Sequence, residues 1–322
     1  MNRWLTFIVL FWLLAGCAEA PQPPLRVGVN PWVGYDPLVL AGERRLFDPT
    51  RVRVVELSSN TESQRALRNG LLDGAALTLD EVLRLADAGL ELKIIAVLNV
   101  SHGADAVLAR EGIRAPADLE GQTIALEQTA LGTLVLDRLL RAGNLSRDDV
   151  HLIHVEAAQH GSVLTSGRAD AVITFEPMKS WLAARNFQVI FDSRAMPGEI
   201  VDVLVARADV LEPRLPEWVE LLAGWERARR ALLADESAAD SLAPGVELTP
   251  EDYRATLGGL TLTDLKEGVR LLSGPSPELT RVGSGVAETL RQLGLIDRAP
   301  DWGALLDARP VMQASATLEA GS

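Results

Sequence analysis

"IVDVLVAR", residues 200–207, is an apolar run with a single acid inside it, Asp202. Val, Leu and Ile on both sides of that acid read as a strand buried on both faces. Its place in the chain decides the fold. Before it, strands and helices alternate; after it, the strands stop. "PEWVELLAGWERARRALLAD", "TPEDYRATLGGL" and "SPELTRVGSGVAETLRQLGL" read as helices with proline near their starts. A late strand followed only by helices reads as a chain returning to a sheet begun much earlier.

The strands before it support that reading. "LRVGVN", "RVRVVEL", "GAALT", "LKIIAVLN" and "DAVLA" alternate with helical segments, and so do "QTIALE", "VHLIHVE", "DAVITF" and "FQVIFDS". Short apolar strands between helices predict parallel α/β sheets. There are more strands than one compact five-stranded sheet needs. A break falls near "LAREGIRAPADLEGQTIAL", residues 108–126. The expectation is α/β: two α/β lobes with a ligand cleft between them and helices at the C-terminus. Lobe 1 is expected to hold residues 25–108 and 203–310, and lobe 2 residues 109–202. The crossings should lie near Asp105–Arg110 and Ile200–Arg207. Residues 311–322, "VMQASATLEAGS", are expected to be a disordered tail.

The N-terminus reads differently. Arg3 precedes "WLTFIVLFWLLA", residues 4–15, which has the length of a secretory apolar core and is short for a membrane span. It ends in "LAGC", and Cys17 is the only cysteine in the chain. Small residues before a lone cysteine at this point look like a bacterial lipobox. The expectation is a signal peptide over 1–16, lipidation of Cys17, a Pro-rich tether over 17–24, and a periplasmic protein anchored to a bacterial membrane by its lipid. With no second thiol there is no internal disulfide, so packing must supply the stability. The formal charge of −13 over 322 residues argues against nucleic acid as a partner.

In open α/β sheets ligands sit outside the carboxyl ends of the strands. In lobe 1 those ends offer Trp32, Tyr35, Asn60, Thr61, Asp80, Glu81, Ser101 and Asp105; lobe 2 offers Glu127, Thr129 and Glu176, and the return strand Asp202. Each has a plainer reading. Trp32 suits a lobe core, Asn60 and Thr61 a helix cap, Asp80 and Glu81 the first turn of a helix, Ser101 a turn. Asp105 suits a hinge, and Asp202 a partner arginine. Glu127 and Glu176 each end an apolar run just before a helix, where an unpaired carboxylate is costly. The candidates include six acids and no lysine or arginine; Lys179 lies a turn into the helix after Glu176. Clustered carboxylates raise one another's pKa. A cationic or N–H-rich small molecule would relieve that, with Trp32 and Tyr35 adding cation–π contact.

An enzyme needs a nucleophile–base pair or a metal. The four histidines, at 102, 151, 154 and 160, form no HExxH pattern, and no cysteine cluster exists for zinc. "RVGSGVAE", residues 281–288, lacks the strand and lysine of a phosphate loop. No catalytic residue, metal or cofactor is expected.

The order "VGVNPWVGYDPLVLA", "LRNGLLDGAALT", "DLEGQTIAL", "LGTLVLDRLLRAGNLSRDDVHLIHV", "VLTSGRADAVITFEP" resembles the periplasmic solute-binding proteins of ABC importers. The resemblance is to the branch that handles nitrate, taurine and aliphatic sulfonates, with the NMT1-like binders of thiamine-pyrimidine precursors beside it. It spans roughly residues 25–205. It implies a type II periplasmic-binding fold, a monomer that closes on a small ligand and passes it to an ABC permease and ATPase. A sensor or adaptor that engages a membrane receptor remains the alternative. The branch is chemically diverse, so a sulfonate and a pyrimidine precursor stay open beside the cation.

Overall fold

The computed structural model describes residues 22–320. The expected signal peptide, Cys17 and the start of the tether lie outside the described residues.

The chain begins with β1 (Leu25–Val29), α1 (Asp36–Glu43), β2 (Val52–Glu56), α2 (Asn60–Arg68), β3 (Gly74–Thr78), α3 (Leu79–Asp87) and β4 (Leu92–Ser101). It then crosses over. β5 (Asp105–Ala109), β6 (Thr123–Leu126), α4 (Ala130–Ala142), β7 (His151–His154), α5 (His160–Thr165), β8 (Ala171–Phe175), α6 (Met178–Ala183) and β9 (Gln188–Asp192) form the second lobe. β10 (Val201–Arg207) returns. After it come α7 (Ala208–Leu211), α8 (Leu215–Ala234), α9 (Glu236–Leu242), α10 (Pro250–Leu257), β11 (Leu260–Leu262), α11 (Leu265–Leu272), α12 (Glu278–Gln292), α13 (Trp302–Leu305) and α14 (Arg309–Ala320).

Two sheets result. The first has six strands in the order β11-β4-β10-β3-β1-β2, the second five in the order β7-β6-β8-β5-β9. β1 lies parallel to β2 and β3, whereas β10 runs antiparallel to both β3 and β4. Every residue of β3 is buried, and so is β10 up to Ala206, as strands covered on both faces must be. One apolar core fills lobe 1, where α8 contributes the buried rings of Trp218 and Trp225. Lobe 2 has one apolar cluster on each face of its sheet.

Beyond β11, a short strand antiparallel to β4 where only helices were expected, three details differ from the sequence reading. β5 belongs to the second sheet from Asp105 onward, so the first crossing lies in the turn after Ser101, at Gly103, whose φ of 110° suits glycine. β10 already pairs with β4 at Val201, so the second crossing falls between Ala195 and Val201. The third difference is the tail. Residues 309–320 form a helix with Val311 and Ala314 buried against lobe 1, because Val311, Ala314 and Leu318 share one helical face.

Candidate functional site

The carboxyl ends of β1 and β3, the end of β4 and the start of β10 meet at one edge of the first sheet. Register places Asp202 opposite Thr78 on one side and opposite Asn99 on the other. In the second sheet the start of β5 meets the end of β8, with Asp105 opposite Phe175. These edges face each other across a narrow cleft. Its lining includes Asn30, Trp32, Tyr35, Asn60, Thr78 and Asp202 from lobe 1. Across it stand Asp105, Glu127, Thr129, His160, Thr174 and Phe175, with an apolar wall of Leu131, Val135, Ile173 and Ile200.

The aromatic residues of lobe 1 are held in place. The Tyr35 hydroxyl donates to Asp202 Oδ1 at 2.5 Å. The Trp32 indole N–H donates to Asn99 Oδ1 at 3.3 Å, and Asn99 donates in turn to the Gly34 carbonyl. The Trp32 ring meets Phe175 of the other lobe edge-on, with centroids 5.9 Å apart. His160 lies beyond, edge-on to Phe175, with Nδ1 3.0 Å from Thr174 Oγ1.

Burial dominates the electrostatics. It pushes the carboxyls of Asp105 and Asp202 up to about 7, opposed by hydrogen bonds from Ser101 and Tyr35 respectively. Glu127 is raised for the same reason. Burial depresses His160 to about 4, which keeps its imidazole neutral. Asp105 Oδ2, Asp202 Oδ2, Asn30 Oδ1, Thr78 Oγ1 and His160 Nε2 are buried around the cleft without a hydrogen-bond partner. No lysine or arginine lines it.

Of the twelve residues expected from strand ends, the structure brings seven onto the cavity: Trp32, Tyr35, Asn60, Asp105, Glu127, Thr129 and Asp202. Five lie elsewhere. Thr61 donates its hydroxyl to Glu127 Oε1 at 2.7 Å. The Ser101 hydroxyl is bonded to that of Ser193, just before the second crossing, at 2.8 Å. Asp80 is buried without lining the cavity, and Glu81 turns to α4 of the other lobe. Glu176 is the main correction. It is 1% exposed, yet its carboxylate takes the Lys179 ammonium at 3.1 Å and the backbone N–H and hydroxyl of Ser180 at 3.0 Å each. Its partners are on the helix that follows it, and it does not line the cavity. The strand-end reading passed over the apolar wall, because Ile173 and Phe175 look like core; both lie on one face of β8 by the two-residue period.

Among the described residues no group of three or more His, Cys, Asp or Glu is placed to hold a metal ion, and no helix is long and apolar enough to cross a membrane.

Comparison with known proteins follows this architecture. A Brucella abortus (strain 2308) protein named "putative binding protein" is 25% identical over 283 residues, 84% of each chain. The alkanesulfonate-binding protein SsuA from Xanthomonas axonopodis pv. citri, solved bound to MOPS, superposes with a TM-score of 0.76 at 19% identity, over 90% of this chain and all of that one. The desulfurization enzyme DszB superposes with a TM-score of 0.67 at 15% identity, over 92% of this chain and all of that one. The two-lobed periplasmic-binding fold is therefore shared by binders and an enzyme. The profile of the NMT1-like family matches residues 18–244, well over half of the 322, and the chain belongs to that family.

Proposed function

We propose that this protein is an extracytoplasmic solute-binding lipoprotein that delivers a small cationic or N–H-rich ligand to an ABC importer. One observation carries the ligand class. Asp105, Glu127 and Asp202 converge on a cleft without lysine or arginine, and two of them keep an oxygen with no protein donor. A sulfonate or nitrate would need donors there; an amine, amidine or guanidinium supplies its own. Carboxyls held near neutrality both donate and accept, which also suits an aminopyrimidine lying against Trp32 and Phe175. The lipobox ending at Cys17 and the family's binding proteins support export and delivery.

The test is a thermal-shift and calorimetry series on the mature protein with amines, guanidines, aminopyrimidines and alkanesulfonates. A member of the first three groups should bind saturably, and Asp202→Asn should weaken a cation by tenfold or more, about 1.4 kcal/mol. Tight alkanesulfonate binding by the parent, indifferent to Asp202→Asn, would overturn the ligand class. Cys17→Ser should move the protein out of the membrane fraction or block its processing; unchanged anchoring would overturn the lipoprotein reading.

A further inference from the structure

The first N–H groups of a helix have no partner within it and readily accept an anion. Two helices point such ends at the cleft, one from each lobe: α2, through Asn60, and α4, through Thr129, Leu131 and Gly132. Most of these groups are already engaged: those of α4 from Ala130 to Thr133, and those of α2 from Thr61 to Ser63. On α4, Glu81 Oε1 accepts from Ala130 N at 2.6 Å and Leu131 N at 3.3 Å. Thr129 takes the next two, Gly132 N through its side chain and Thr133 N through its carbonyl. On α2, Glu127 Oε1 accepts from Thr61 Oγ1 at 2.7 Å and Thr61 N at 3.3 Å, while Ser59 takes the N–H groups of Glu62 and Ser63.

The two carboxylates are exchanged between lobes. Glu81 stands in the first turn of α3 in lobe 1 and serves a helix of lobe 2; Glu127 directly follows β6 in lobe 2 and serves a helix of lobe 1. Glu81 is 0% exposed, and its second oxygen has no hydrogen-bond partner. A capping role alone is met more simply by a residue of the same chain segment, as Ser59 and Thr129 already do. Reaching across the cleft adds something that local caps do not: a bond that exists only when the lobes are together.

We propose that Glu81 and Glu127 are tethered anions, which fill from within the chain the helix-end positions a free anion would take, draw the lobes together and bar anionic solutes. The inference rests on the reading that this cleft is the solute site, but not on the solute being a cation.

The test uses the full mature chain with methanesulfonate as probe, read by calorimetry, and small-angle scattering without ligand. The parent should show no saturable methanesulfonate binding at millimolar concentration. Glu81→Ala frees the N–H groups of Ala130 and Leu131 and should gain binding at least tenfold tighter than the parent's. In scattering, Glu81→Gln, which keeps the shape but weakens the acceptor, should have a larger radius of gyration than the parent. Equal methanesulfonate affinity in parent and Glu81→Ala, including none in either, would overturn the exclusion. If Glu81→Ala does not fold by circular dichroism, the scattering of Glu81→Gln decides: an unchanged radius of gyration overturns the inference. None of these readouts depends on whether the amine and guanidine series finds a ligand, so the two readings can fail separately.

Discussion

Glu127 and Glu176 both end apolar runs in lobe 2, yet they have opposite fates. What separates them is the side-chain direction chosen at the helix that follows. Glu176 folds back onto Lys179 and Ser180, three and four residues on; Glu127 reaches over to Thr61. Glu176→Gln should therefore cost stability, about 1–3 kcal/mol from a weakened buried pair, and leave ligand affinity within about twofold. Denaturant melts and calorimetry on one preparation would check both. The buried acids give a pH signature. Asp105 and Asp202 titrate near 7 in the folded chain, above their ordinary range, so their contribution is full in acid and is lost as pH rises from about 4 to about 7. His160 opposes them: depressed to about 4, it withdraws stability as pH falls from about 6.5 to about 4. Asp202→Asn should accordingly gain on the parent as pH rises from about 4 to about 7 in denaturant melts. Strand ends were legible because buried strands announce themselves by composition. Which acids find a partner close by was not, because spacing permits a contact without choosing its rotamer.

At the scale of elements, the C-terminal helix shows how composition can mislead. "QASATLEA" is small and polar, and it reads as tail; the helix's narrow apolar face runs through Val311, Ala314 and Leu318. Lobe 1 supplies the matching surface, with Gly268 of α11 so close that a Cβ there would come within 3.2 Å of Val311. Val311→Ala should cost about 2 kcal/mol in urea unfolding, where a disordered tail would show no effect. The centre of the first sheet is tighter still. Gly74 opens β3 where a Cβ would collide with the Val205 carbonyl of β10 and the Trp218 ring of α8. Gly74→Ala should lose about 2 kcal/mol or more through overpacking, measured the same way. Neither close approach is visible in one-dimensional periodicity, which reports which face is apolar and not how near the next layer lies.

For the whole molecule, specific groups join the lobes. Trp32 abuts Phe175, Glu81 and Glu127 reach across, and Arg138 of α4 donates to Thr289 Oγ1 of α12 at 3.0 Å while ion-paired with Glu199 in the second crossing. The two-lobed plan was readable because one strand, β10, came too late and too apolar to be anything but a return. That same strand has a consequence for how the chain is made. It lies between β3 and β4, neighbours in sequence that do not pair with each other. Until all of lobe 2 has left the ribosome, the first sheet lacks its middle, and two largely apolar strands keep raw inner edges. Nascent chains ending before residue 200 should be cut by protease within β3 and β4. Those ending beyond residue 207 should resist, because only then does the sheet close over a loop as long as a domain.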